Sequence, residues 1–283
     1  VTATDEQPRL DHDARCASWD SDDPAVCDCR DDDGHTRWYE GPWVAYDTET
    51  TGVEVATDRI VTATLIRYTP GQQLAVTEWL ADPGVEIPEE ATAVHHITTE
   101  HARTHGRPAR EVIAEIADAL ERAWTRTVPL IAYNGTFDLD ITDNEMRRHL
   151  RRPLQVLGPV IDPLILDKHV DRYRRGSRKL VDVARHYRVQ LGGDAHDAAA
   201  DALGAARVMW RIARTYPEIG QMTLQQLHNA QARWYAEQQR SFAQFLRDKI
   251  VPGIDDDTER QQVLDRADTI DAHADGWPLR GVA

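Results

Sequence analysis

The sequence predicts an α/β fold in which a mixed five-stranded sheet is flanked by helices, with an acidic arm before it and a helical extension after it. Three observations predict this. Short β-branched runs between Trp38 and Pro83 are separated by Gly, Pro and Asp, the pattern of strands in hairpin succession. From Pro108 onward, apolar runs of strand length alternate with segments of helical period, which implies a sheet that is parallel in part. Beyond Tyr216 only helical periodicity remains.

The first three strands are read in "WVAYDTE", "DRIVTATLIRY" and "LAVTEWLADP". "PAREVIAEIADALERAW" places Val112, Ile113, Ile116, Leu120 and Trp124 on one helical stripe, with Pro108 suited to a first turn. "VPLIAYN" reads as a buried strand, followed by a helix through "DNEMRRHL", a short strand at "PVID", and helices at "KLVDVARHY" and "HDAAADALGAARVMWRIART". In the extension, Leu224, Leu227, Trp234, Phe242, Phe245 and Leu246 share one apolar face. That face is expected to pack on the body; a partner or substrate surface is the sharper alternative. From Val251 the chain is acidic and punctuated by Pro and Gly, so a loosely attached tail is expected. The divisions expected are an arm over 1–38, an α/β domain over 39–215, and a helical extension with its tail over 216–283.

The formal charge of -15 argues on average against nucleic-acid binding, but it is unevenly spread. Between Asp5 and Asp33 eleven acids face Arg9, Arg15 and Arg30, so the arm reads as solvated or disordered and carries about half the net charge. The sign reverses in "KHVDRYRRGSRK", where Lys168, Arg172, Arg174, Arg175, Arg178 and Lys179 face only Asp171. Such a basic strip, with Tyr173 for stacking, would attract a phosphate backbone; a solvated loop is the competing reading. Cys16, Cys27 and Cys29, with His35 or His12, form a candidate zinc set, but the C-x-C spacing departs from the usual knuckle and favours free thiols. The sequence has no apolar run of membrane-spanning length and no signal-like start, and a cytoplasmic protein is expected.

Two carboxylates leave the end of the first strand in "DTETTG". Asp47 and Glu49 are two apart, so they share a face at the carboxyl edge of the sheet, where open α/β sheets keep their sites. Asp138 in "NGTFD" follows a buried strand, and "HDAAAD" brings His196, Asp197 and Asp201 to the start of an Ala-rich helix. Carboxylates gathered at one place repel unless a hard cation neutralises them, and all-oxygen ligands suit Mg2+ or Mn2+. Helical spacing alone pairs Asp197 with Asp201, at i and i+4. His196 joins the same site only from a loop or first turn ahead of the helix, which "GGDA" makes plausible.

These motifs, in this order, resemble the DEDDh 3′ to 5′ exonucleases, the DnaQ-like group that includes the proofreading epsilon subunit of bacterial replicative polymerase. "DTETTG", "NGTFD" and "HDAAAD" resemble its three exonuclease motifs, and "EEATAVHHIT" its segment ending in VHGIT, with His96 at the place of the usual Gly. The resemblance covers residues 41–213. It implies an RNase H-like sheet with two ions about 3.5 to 4 Å apart. Asp47 would bridge both, Glu49 and Asp201 would complete one, and Asp138 would hold the other. His196 would take the proton from the attacking water, while Thr48, Glu90, His95, Asn134 and Phe137 would contact substrate. The substrate class implied is the 3′ end of a single strand, DNA favoured over RNA, with nucleoside 5′-monophosphate as product and a polymerase as partner. An oligoribonuclease of the same group and a polymerase-tethering or nucleic-acid-binding module are the competing readings.

Overall fold

The structure, a computed structural model, describes residues 37–192 and 198–280. A 3-10 turn at Trp38–Glu40 leads into β1 (Trp43–Thr50), β2 (Ile60–Tyr68) and β3 (Ala75–Asp82), an antiparallel meander. There follow α1 (Glu89–His95), α2 (Thr99–His105), β4 (Arg107–Pro108), α3 (Ala109–Ala123), β5 (Leu130–Ile131), α4 (Thr136–Leu150) and β6 (Val160–Ile161). Next come α5 (Pro163–Val170), α6 (Leu180–His186), α7 (Ala198–Thr215), α8 (Pro217–Gly220), α9 (Leu224–Phe245) and α10 (Asp257–Ala272). The sheet order is β4-β3-β2-β1-β5-β6, with β5 parallel to both β1 and β6. It is a mixed sheet, as expected, but it has six strands rather than five. The added one, β4, is two residues long and pairs with Ala81 and Asp82 just before α3 begins, too short to show an alternating pattern.

Alternation along β1 divides the core. Val44 and Tyr46 join one apolar cluster with Ile113, Ile116 and Leu120 of α3 and Leu139 and Ile141 of α4. Trp43 and Ala45 join the other, with Leu166 of α5, Val183 of α6 and Ala205, Met209 and Ile212 of α7. Helices therefore cover both faces of the strand that carries the acids, which holds it rigid. By the same alternation Asp47 and Glu49 point to the α7 side and Thr48 to the α4 side.

Two expectations need correction. The α4 helix begins at Thr136, well before "DNEMRRHL", so Asp138 sits in its first turn. The residues from Val251 are not a loose tail among those described. They form α10, whose Ala267 packs on Ala243 and Leu246, and Trp277 beyond it is buried in the first core cluster. The Arg280 amide donates to the Asp140 carboxylate on α4 at 2.8 Å and its guanidinium pairs with the same group. Residues 1–36 of the expected acidic arm, including Cys16, Cys27, Cys29 and His35, lie outside the described residues. None of the described helices is long and apolar enough to cross a membrane.

Candidate active site

Four acids from three elements meet at the end of β1. Asp47 is half-buried there, and its carboxyl is pushed well above the usual carboxylate range, first by desolvation and then by the charges of Asp138, Glu49 and Asp201. Those three come from α4, from β1 itself and from the first turn of α7. Asp138 reaches the strand from the α4 side, because Thr48 donates to its Oδ1 through both the backbone amide (3.0 Å) and the hydroxyl (2.7 Å). Burial pushes the Asp138 carboxyl up to about 7, against the pull of those two hydrogen bonds.

The first turn of α4 is set from several directions. Asn134 takes a left-handed φ of 58°, a conformation asparagine tolerates better than most residues. Gly135 follows, and a Cβ there would lie 2.7 Å from that of Ala132. Both amides, Asn134 N and Gly135 N, donate to the carboxylate of Asp162 at 3.0 Å. Asp162 also caps α5 by accepting from Leu164 N at 2.9 Å, and its own amide is held by Gln231 of α9 at 2.7 Å. Farther along α4, the Thr142 hydroxyl lies 2.9 Å from the Tyr46 hydroxyl, which ties the helix back to β1. The "TTG" end of the first motif is equally constrained. The Asp58 carboxylate accepts from Thr51 Oγ1 (2.9 Å) and Glu54 N (2.7 Å), and a Cβ on Gly52 would come within 2.5 Å of it.

The substrate residues expected from sequence fall into place unevenly. Thr48 holds Asp138, and Phe137 and Asn134 precede that acid in one turn. Glu90 and His95 lie on α1, which packs through Ala91 on the cluster of Val61 and Ile87. Val61 adjoins Thr62, the cross-strand partner of Glu49, so α1 stands beside the acidic end of the sheet. His95 is buried, and its Nδ1 accepts from Ile97 N at 3.2 Å, so the neutral ring carries its proton on Nε2. His96 closes α1 with a left-handed φ of 61°, the conformation that glycine adopts without strain. His96→Gly is therefore expected to stabilise the fold by about 1 kcal/mol, read as a rise in melting temperature of a few degrees.

His196 and Asp197 lie outside the described residues. Of the basic strip, Arg174 and Arg178 turn inward: both pair with the buried carboxylate of Asp167 at 2.6 Å, and Arg178 also donates to the Asp167 and Asp171 carbonyls. Arg172, Arg175 and Lys179 stay exposed. The Tyr133 hydroxyl, one residue before Asn134, donates to the Arg178 carbonyl at 2.6 Å and ties this loop to the site. Sequence reading missed Asp162, although an Asp directly before Pro163 is a helix-start signal that could have marked it.

The donor set fits a hard divalent ion: the carboxylates of Asp138, Glu49 and Asp201 lie close enough for their charges to raise the pKa of Asp47. Among the described residues, no group of three or more His, Cys, Asp or Glu side chains is arranged to hold an ion as it stands. Acids whose folded pKa lies above the unfolded value make the fold bind extra protons. Asp138, at about 7, and Asp162, raised to about 6 chiefly by burial, are therefore expected to cost stability as pH rises from about 4 to 7. Urea unfolding in chelator across that range checks this; a midpoint that climbs with pH would contradict it.

The RNase_T family model, described as Exonuclease, matches residues 44–209. The chain is 27% identical over 188 residues to the PolC-type DNA polymerase III of Lacticaseibacillus paracasei, covering 66% of this chain and 12% of that protein. It is 30% identical over 179 residues to a DNA polymerase III subunit epsilon-like protein of Rhodobacter capsulatus, covering 60% of this chain and 23% of that one. With the DNA polymerase III subunit epsilon of Treponema pallidum it shares 28% identity over 149 residues, 52% of this chain and 61% of the other. The chain thus spans less than a quarter of the first two relatives. Among solved structures, E. coli exonuclease I in complex with a dA16 oligonucleotide superposes with a TM-score of 0.56 at 19% identity, over 64% of this chain and 42% of that one. At that identity the likeness establishes a shared fold.

Proposed function

The chain belongs to the exonuclease family, whose model spans more than half of it, and from that premise we propose that it removes nucleotides one at a time from the 3′ end of single-stranded DNA. The observation that carries this reading is the convergence of Asp138, Glu49 and Asp201 on Asp47. Asp47, Glu49, Asp138 and Asp201 would hold two divalent ions, Mg2+ or Mn2+. When bound, these supply Lewis-acid stabilisation of charge at the attacked phosphorus and lower the pKa of an attacking water.

The chain's own residues do the rest. Rigid packing of β1 between two helical layers fixes Asp47 and Glu49, and Thr48 orients Asp138 by two hydrogen bonds. His196 accepts the proton of the attacking water, a task suited to an imidazole whose ordinary pKa is about 6.5. The Nε2–H of His95 donates to the terminal nucleotide, and Phe137 and Asn134 line its seat. DNA is favoured because the relatives are DNA polymerase III proteins by name, and a polymerase is the partner this implies.

Oligonucleotides labelled at the 5′ end test the reading. With Mg2+ or Mn2+ a ladder shortening from the 3′ end and release of nucleoside 5′-monophosphate are expected, with neither in chelator. Internal cuts, shortening from the 5′ end, or binding without cleavage would overturn it.

A further inference from the structure

A second feature joins the stretch matched by the family model to α9, which lies beyond it. The C-terminal half of α5, the loop that follows it and one side of α9 enclose a groove of about 580 Å³. Its lining alternates cations and rings: Lys168 and Arg172 on one wall, Tyr173 at the rim, Trp234, Phe242 and Phe245 on the other. Tyr173 is 86% exposed in the loop, and on α9 Phe242 is 40% and Phe245 48% exposed, so the end of its apolar face is left largely uncovered by the body. The rings are ordered against flat or cationic neighbours. His169 stacks on Trp234 with centroids 3.7 Å apart, Phe242 and Phe245 lie within 14° of parallel, and the guanidiniums of Arg172 and Arg266 sit over Tyr173 and Phe242.

Resting on the exonuclease reading, we propose that this groove binds the bases of the single strand upstream of the terminus being cut. Charge complementarity singles out this occupant: cations line the groove of a chain whose net charge is -15, while Glu237 is its single acidic lining residue. Exposed rings interleaved with cations provide a sequence-tolerant stacking platform for bases. The groove is also tethered to the site. The loop carrying Arg172 and Tyr173 ends at Arg178, whose carbonyl is held by Tyr133 beside Asn134, and Gln238 of α9 donates to the Ile165 carbonyl of α5 at 3.0 Å. From Trp234 to Phe245 the helix runs about 16 Å, room for roughly five stacked bases at ~3.4 Å each.

The test compares the full chain with Tyr173→Ala and with the double variant Phe242→Ala and Phe245→Ala. Removing exposed rings leaves the fold intact, which circular dichroism checks. Binding of fluorescent oligothymidylates of 3 to 15 nucleotides is measured in chelator, where no cleavage intervenes. Hydrolysis of the p-nitrophenyl ester of thymidine 5′-monophosphate, which is too small to reach the groove, is measured with Mn2+. Each variant is expected to lose about tenfold or more in affinity for the 15-mer, to bind the 3-mer as the parent does, and to hydrolyse the ester at the parental rate. Arg172→Ala is expected to lower the slope of log affinity against log salt by about 1. Unchanged 15-mer affinity in the ring variants overturns the groove and leaves the exonuclease reading standing. Absence of ester and oligonucleotide hydrolysis in the parent overturns the exonuclease reading whatever the binding shows. An acidic aromatic peptide that saturates the groove while the 15-mer binds equally with and without it would assign the surface to a protein partner and overturn the proposal.

Discussion

Asp47→Asn is expected to lower the rate of 3′ shortening by about 10³-fold or more, roughly 4 kcal/mol of transition-state stabilisation. The same change is expected to raise the melting temperature in metal-free buffer. Both effects have one cause. The Asp47 carboxyl is desolvated and faces the charges of Asp138, Glu49 and Asp201, so removing its charge relieves repulsion while deleting the proposed metal ligand among those acids. Addition of Mn2+ should then stabilise the parent strongly and the variant weakly. Single-turnover kinetics with scanning calorimetry in chelator and in Mn2+ check the pair. Activity within tenfold of the parent would remove Asp47 from the chemistry, and a lower metal-free melting temperature would mean that the cluster is not repulsive.

His196→Ala is expected to cost about 10²- to 10⁴-fold in rate, the range for loss of a general base. Because the imidazole is assigned to the proton and the carboxylates to the ions, the stabilisation by Mn2+ should survive in this variant. The parental rate should rise with pH through about 6.5, and that limb should vanish with the imidazole. Asp197→Ala is the control, since helical spacing alone offers Asp197 as the partner of Asp201, and it should keep near-parental activity. A severe loss in Asp197→Ala with a mild one in His196→Ala would reverse the assignment.

What the sequence reveals about this fold depends on where each residue's partner lies. Asp47 and Glu49 are legible because strand period and the following Thr-Thr-Gly turn both act within a few residues. The start of α4 is not, because polar side chains are buried on its inward side among Leu139, Ile141 and Met146. Thr142 binds Tyr46, and Asp143 accepts from the Leu154 amide at 2.7 Å, so no apolar stripe announces the helix. Asp162 reads in sequence only as the end of a strand, because the amides it receives lie 27 and 28 positions earlier. The basic strip misleads in the opposite sense. A run of arginines reads as a solvated surface, yet Arg174 and Arg178 are committed to Asp167, an acid hidden in the preceding helix. The final segment looks loose because its anchors, Trp277 and Arg280, are single residues in an otherwise polar stretch.

Electron paramagnetic resonance of Mn2+ titrated into the full chain tests the acid cluster most directly. Two ions per chain, with the spectrum of a magnetically coupled pair that disappears in Asp47→Asn, are the expected result. One isolated ion per chain, or an uncoupled spectrum that the Asp47→Asn substitution leaves unchanged, would contradict a two-ion site built from Asp47, Glu49, Asp138 and Asp201.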